Sequence, residues 1–271
     1  MASVAAATCP TMKGNLRHKS TPQMAVRPSA WIKQRRQATA SRRQQRQWLL
    51  PPPAAAASSG GSAEEVEYKD SLTDLMFIAL CRVAYGRLAG WQSPRSWMDG
   101  PETFKGMVEV SRALMRGRSA AQQRDAVIQG FPQVPDWFRR LFPYSKWGAE
   151  LNARITPAFF TWLVGPMATA AAEVDGGVVQ RSSVKIQRCR YLAESGCTAM
   201  CVNLCKAPTQ TFFTEQLGMP LTMTPNFEDY SCEMVFGKRP PPLSEDPVAT
   251  QPCLAVCSTA VASGGRCHKL D

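Results

Sequence analysis

Half of the chain's ten cysteines lie in one stretch of fifty residues, between Arg188 and Gly237. Two more follow in the sequence PCLAVC. These seven residues are Cys189, Cys197, Cys201, Cys205, Cys232, Cys253 and Cys257. No secretory hydrophobic region is found near the N-terminus, so a disulfide framework is disfavoured and the thiols indicate metal binding or redox chemistry. Any functional interpretation must therefore explain these thiols.

The order of residues in this stretch is long and specific. It reads CRYLAESGCTAMCVNLCKAPTQTFF and then GMPLTMTPNFEDYSCEMVFG. This order resembles the plastid β-carotene isomerase family of strigolactone biosynthesis, the Dwarf-twenty-seven family, and the resemblance extends upstream to about Ser71. It implies a plastid enzyme that needs iron and reversibly converts all-trans-β-carotene to 9-cis-β-carotene. It also implies that the product passes to downstream carotenoid cleavage enzymes, as the first step towards strigolactone synthesis through carlactone.

The net charge of +11 belongs almost entirely to the first 63 residues. They hold ten Lys or Arg and no Asp or Glu, which leaves 22 basic and 21 acidic residues in the rest of the chain. A basic, acid-free segment of this kind predicts an organelle transit peptide, and the opening MASVAAAT favours the chloroplast. Residues 1–60 are therefore predicted to be a plastid transit peptide with a disordered hinge, PPPAAAASSGGS. The alternative is a basic tail that binds RNA or membrane, but the nearly neutral remainder predicts no nucleic-acid partner.

Residues 64–175 are predicted to form a helical scaffold. Apolar residues recur at intervals of three and four, and glycines or capping residues stand where helices should begin or end. Ser119 and Gln122 form a capping-box pattern, and Gly90 is expected to end the first helix. Cys81 on that helix is interpreted as a buried thiol. The predicted helices cover residues 71–88, 101–117, 119–130 and 135–142.

Eighteen uncharged residues lie between Arg154 and Glu173 and read ITPAFFTWLVGPMATAAA. The length just reaches that of a membrane span, but its prolines, glycine and threonines argue against one. One interpretation is a buried central pair of helices. The functional alternative is an apolar groove, or a surface that meets the plastid membrane, where a membrane-dissolved carotenoid would bind. The predicted substrate-binding residues are Phe159, Phe160, Trp162 and Leu163.

Residues 178–271 are predicted to form a Cys-rich catalytic or metal module. Alternating polar and apolar residues predict a strand over 184–189, and Gly196 or Cys197 is expected to open a helix that Pro208 restarts. Segments 221–224 and 230–236 predict a hairpin. The predicted fold is mainly α with a small C-terminal α+β Cys-rich unit, in which the helical first half packs on a strand/helix/hairpin module.

Histidine is scarce, and this limits the metal chemistry. The two histidines are His18, in the basic segment, and His268, near the C-terminus, so iron sites built from several histidines are excluded. The iron implied by the resemblance would be held mainly by thiolates, as in an iron–sulfur cluster. Structural zinc and metal-free thiols remain alternatives. The repeated CxxxC spacing gives five predicted metal ligands: Cys197, Cys201, Cys205, Cys253 and Cys257.

Rotation about a polyene double bond requires a momentary loss of its π order. A cluster could achieve this by one-electron transfer, or a thiolate could add to the double bond and leave again. Cys189 and Cys232 are the candidates for such a nucleophile. Two other functions fit the sequence: a family paralogue that acts on another double bond or carotene, and a carotenoid-binding or iron–sulfur protein without turnover.

Overall fold

Five helices precede the sheet in the computed structural model, which describes residues 68–257 and 266–270. They are α1 (Leu72–Ala89), α2 (Gly100–Met115), α3 (Ala120–Ile128), α4 (Asp136–Leu141) and α5 (Lys146–Val164). The described residues belong to one compact unit. The predicted transit peptide and hinge lie outside them, and the predicted division of the remainder at about residue 176 stays a prediction.

Local capping explains where these helices begin and end. Ser71 and Asp74 form a reciprocal capping box at the start of α1, and Ser119 and Gln122 form another at the start of α3. Gly90 ends α1 in the left-handed conformation, with φ of 65°. The four helices predicted for this region are confirmed, with bounds that shift by one or two residues.

Helix α2 forms the centre of the helical part, with Phe104, Met107 and Leu114 fully buried. Its neighbour α1 buries a charged residue against it: Arg82 donates hydrogen bonds to the carbonyls of Ser93, Arg95 and Ser96 at 2.7–3.0 Å. These bonds attach the α1–α2 loop to the core and satisfy backbone carbonyls that the loop leaves without helical partners.

The uncharged run after Arg154 does not form a pair of helices, so that prediction is wrong. Its first half lies in α5, and its second half is strand β1 (Met167–Val174). Gly165 separates the two with φ of 87°. Pro166 follows it, and a proline disfavours helical geometry at the residue before it. No helix of the described residues is long and apolar enough to cross a bilayer.

The second half contains a four-stranded antiparallel sheet in the order β1-β2-β4-β3. The remaining strands are β2 (Val178–Ile186), β3 (Leu221–Pro225) and β4 (Cys232–Phe236). The predicted hairpin of β3 and β4 is confirmed. Strand β2 starts six residues before the predicted position, because β1 supplies a partner along its whole length, and it ends before Cys189.

Four short helical segments connect β2 to β3: α6 (Arg190–Ser195), π1 (Met200–Lys206), α7 (Ala207–Thr211) and π2 (Phe212–Gln216). The sequence analysis missed α6. It also predicted a break at Pro208, but the helix continues through this residue. The adjoining π turns shift the hydrogen-bond ladder, so the missing proline N–H is accommodated. Helices both precede the antiparallel sheet and connect its strands, which confirms a mixture of α and β structure.

Candidate functional site

The backbone brings Cys189 and Cys232 to the same end of the sheet. Cys232 begins β4 and lies opposite Ile186, the last residue of β2. Three residues further on, the Cys189 N–H donates to the Tyr230 carbonyl at 2.7 Å. Cys189 also caps α6, where its Sγ accepts from the Leu192 N–H at 3.4 Å. Both predicted nucleophiles therefore stand where the strands of this sheet end and the helical connection begins.

The π1 helix adds two further thiols to this region. Residues four apart on a π-helix lie almost directly above one another, because each turn takes more than four residues. Cys201 and Cys205 are related in this way. Cys189 lies near enough to raise the pKa of Cys201, Cys205 and Cys232, and Cys205 also raises that of Cys232. We call Cys189, Cys201, Cys205 and Cys232 the inner thiols.

Burial keeps the inner thiols protonated. It raises the pKa of Cys189 to about 11 and that of Cys205 to about 12, against the usual 9.0. It raises the pKa values of Cys201 and Cys232 well above the usual value, and the neighbouring thiols add to the rise. A charge in an apolar interior is costly, so all four are neutral thiols at neutral pH.

A buried ion pair lies beside the inner thiols. The Lys206 ammonium, at the end of π1, is 2.6 Å from the Asp246 carboxylate and donates to the Met223 carbonyl at 2.5 Å. Lys206 opposes the rise in the pKa of Cys201 and Cys232. It is therefore a cation placed to stabilise negative charge on sulfur if one forms there.

The other cysteines of the second half form a separate group, which we call the outer thiols: Cys197, Cys253, Cys257 and Cys267. Cys257 raises the pKa of Cys197, and Cys253 raises that of Cys267, so each pair lies close together. Burial raises the pKa of Cys267 to about 12 and also raises that of Cys197. The sequence analysis did not select Cys267, since it lies outside every CxxxC pattern.

The five predicted metal ligands are thus divided between two groups. Cys201 and Cys205 are inner thiols, whereas Cys197, Cys253 and Cys257 are outer thiols. Within the described ranges, no three Cys, His, Asp or Glu side chains converge in a geometry that could hold a metal ion. The described residues therefore do not present a ready iron site, and the ligand set stays a prediction.

The predicted substrate-binding residues lie on the C-terminal half of α5. Phe159 and Phe160 are 54% and 43% exposed, whereas Trp162 and Leu163 are half-buried. Trp162 stacks on Phe77 of α1 with ring centroids 5.9 Å apart. These residues present an apolar surface at the end of α5. A separate shallow groove of about 530 Å³ is lined by Val83, Gly86, Arg87, Gly90, Trp91, Gln92 and Trp97.

Arg190 connects this end of α5 to the inner thiols. It follows Cys189 directly and donates to the Trp162 carbonyl at 3.3 Å. Its two terminal nitrogens also bind the Asp70 carboxylate, at 2.5 and 2.9 Å. The guanidinium lies 3.9 Å above the ring of Phe104. A fork of this kind fixes orientation as well as charge, so the backbone of Cys189 is held against α2, α5 and the residues just before α1.

Gly165, at the end of α5, allows the chain to pass close to Tyr68 and to the backbone of Arg188. A Cβ at this position would lie 3.1 Å from the Tyr68 ring and 3.2 Å from the Arg188 carbonyl. Its positive φ adds a second reason for glycine. The α5–β1 junction therefore packs directly against the segment that carries Cys189.

Tyr191 is a buried polar residue that sequence reasoning did not identify. Its hydroxyl has no hydrogen-bond partner among the described residues. The nearby Ser111 hydroxyl donates to the Met107 carbonyl at 2.8 Å. Burial raises the pKa of Tyr191 well above its usual range, and Cys205 adds to this rise. A neutral phenol thus lies beside the inner thiols with an unused donor.

Comparison with known proteins agrees with the residue order of this region. Residues 162–245 match the family model described as "Beta-carotene isomerase D27-like, C-terminal". A Medicago truncatula protein named "Beta-carotene isomerase D27, chloroplastic" is 35% identical over 205 residues, which cover 74% of this chain and 79% of the relative. An Arabidopsis thaliana protein of the same name is 36% identical over 163 residues, covering 58% and 61%. No solved structure matches the chain significantly.

Both relatives are named chloroplastic isomerases, which confirms the predicted plastid location and the assignment as an isomerase. The family match covers α6, the inner thiols and the sheet end from β2 to β4. The relationship extends well beyond this domain, over about three quarters of the chain. The chain therefore belongs to the D27-like family of β-carotene isomerases.

Proposed function

We propose that this protein reversibly converts all-trans-β-carotene to 9-cis-β-carotene. The observation that carries the proposal is the junction of the apolar end of α5 with the segment of Cys189, through Arg190 and Gly165. A polyene on the exposed rings of Phe159 and Phe160 would lie next to the end of the sheet where Cys189 and Cys232 stand. The 9-cis product would then pass to carotenoid cleavage enzymes, towards carlactone and strigolactone.

The inner thiols can carry this isomerisation without a net redox change. In the proposed route, the sulfur of Cys189 or Cys232 bonds to one carbon of the double bond. The thiol proton passes to the neighbouring carbon, so the S–H bond and the π bond are lost together. Rotation about the resulting single bond follows, and elimination restores the thiol and the double bond in the new geometry.

The protonated state of the thiols agrees with this route. A thiolate nucleophile is scarce here because burial raises the pKa of both candidates. A neutral thiol, by contrast, brings the proton that the second carbon requires. Lys206 stabilises sulfur charge that develops during the transfer, since it already lowers the pKa of Cys232 against the effect of burial.

The resemblance also implies iron, which would supply one-electron chemistry. Since the described residues present no group of three converging ligands, no step of the route above depends on iron. Iron dependence is a separate proposal that metal analysis tests directly.

The decisive experiment incubates the purified full-length chain with all-trans-β-carotene and separates the isomers by chromatography. We expect 9-cis-β-carotene to form, and to return to the all-trans isomer when supplied as substrate. Cys189→Ser and Cys232→Ser should show which thiol is needed, and Cys81→Ser serves as a control, being a half-buried thiol on α1 outside the inner and outer thiols. Full activity in both site variants would refute thiol addition, and a product isomerised at another bond would indicate a paralogue.

A further inference from the structure

Two helices of this protein expose large apolar side chains at intervals of four residues. On α1 these are Leu72, Met76 and Leu80, and on α5 they are Trp147, Leu151 and Ile155. Residues four apart share one face of a helix, so each set forms a continuous stripe on the surface. Trp147 is 71% exposed, the most of any residue in the α5 stripe. We call the six residues the apolar face.

Helix α1 meets α5 near the end of α5. The ring of Phe77, next to Met76 on α1, stacks on Trp162 near the end of α5, with an angle of 14° between the rings. Phe159 continues the stripe of α5 beyond Ile155. The apolar face therefore ends at the residues predicted to bind the carotene.

The fully exposed charged side chains on the two helices are basic. Among the charged residues of α1 and α5, those with exposed side chains are Arg87, Lys146 and Arg154. The acidic residues on these helices are engaged: Asp74 in the cap of α1, and Glu150 with the Arg181 N–H. Aromatic and aliphatic side chains with lysine and arginine beside them are typical of helices that lie in the interface of a membrane.

We propose that the apolar face docks on an anionic lipid bilayer and delivers the membrane-dissolved substrate to the adjacent end of α5. This inference deepens the proposed function and rests on it for the identity of the substrate. Two other occupants are disfavoured by charge. A second copy would place Lys146 and Arg154 against a surface whose exposed charges are also basic. Residues 1–63 carry ten basic and no acidic residues and would create the same repulsion.

Flotation of the full-length chain with lipid vesicles tests the proposal. Binding to vesicles of phosphatidylcholine alone measures the apolar contribution to membrane affinity. Binding to vesicles that also contain phosphatidylglycerol includes the electrostatic contribution. We expect the double variant Trp147→Ser/Leu151→Ser to bind neutral vesicles at least about tenfold more weakly, because the apolar area available for insertion is lost. Lys146→Gln/Arg154→Gln should weaken binding to anionic vesicles only, and salt should have the same effect on the wild type.

The control variant is Met98→Ser, which removes an 83% exposed methionine from the loop between α1 and α2 and should bind as the wild type does. Unchanged binding of Trp147→Ser/Leu151→Ser would overturn the proposal. So would a dimer of the wild type that this variant dissociates, since the face would then be a contact between copies.

Activity measurements separate this inference from the proposed function. The Trp147→Ser/Leu151→Ser variant should isomerise detergent-solubilised carotene normally and vesicle-embedded carotene poorly. Equal activity on both substrates would overturn delivery from the bilayer. If the wild type isomerises neither form while the flotation results hold, the proposed function fails and the membrane surface stands.

Discussion

Breaking the buried ion pair between Arg190 and Asp70 should strongly destabilise the fold around the candidate site. The two residues are 120 positions apart, and their side chains are only 5% and 4% exposed. Replacing Arg190 by Met removes one partner and leaves a carboxylate in the interior. The expected loss in the free energy of unfolding is about 3–5 kcal/mol. Arg190→Lys keeps the charge but loses the fork and the contact with Phe104, and should cost roughly 1.5–3 kcal/mol.

Arg95 provides a matched control for this prediction. It also makes two contacts of 2.6 Å with carboxylates, Glu102 and Glu109, but its side chain is 36% exposed. Solvent screens such pairs, so Arg95→Met should cost about 1 kcal/mol or less. The two variants thus compare ion pairs that have similar N–O distances but differ in burial.

Urea unfolding followed by far-UV circular dichroism measures both costs, provided that the slope with denaturant is unchanged. The double variant Asp70→Asn/Arg190→Met should recover part of the loss, because the unpaired carboxylate is then absent. If Arg190→Met costs no more than Arg95→Met, burial does not set the strength of this pair. If the double variant is as unstable as the two single changes combined, the residues do not act as a pair.

Two further predictions concern the thiols. Folding raises the pKa of Cys189 from its usual 9.0 to about 11, so stability should be constant below about pH 9 and fall as the pH rises towards 11, by roughly 3 kcal/mol from this residue. Cys189→Ser should lose that part of the pH dependence, and an unchanged slope in this variant would contradict the assignment. If the sequence-predicted ligands bind iron, metal analysis should show iron lost from Cys201→Ser and Cys257→Ser and kept in Cys81→Ser. Retention of iron in both ligand variants would exclude the predicted set.

Features that depend on nearby residues could be predicted from the sequence. The ends of α1 and α3 follow from capping contacts within three residues, as between Ser119 and Gln122, and these were predicted correctly. The hairpin of β3 and β4 was predicted for the same reason, since a short connection joins its strands. The residue order around the cysteines indicated the family, because it does not depend on how the chain folds.

The tertiary structure alone decided features that join distant segments. The alanine content of residues 167–174 favours a helix. They form a strand because β2 offers a hydrogen-bonding partner that sequence periodicity does not show. The CxxxC spacing grouped five candidate ligands without deciding which of them meet. In the fold, Cys201 lies near thiols of the sheet end, whereas Cys197 lies near Cys257 of the C-terminal segment. Spacing along a helix fixes only local neighbours, and contacts across the fold determine which thiols meet.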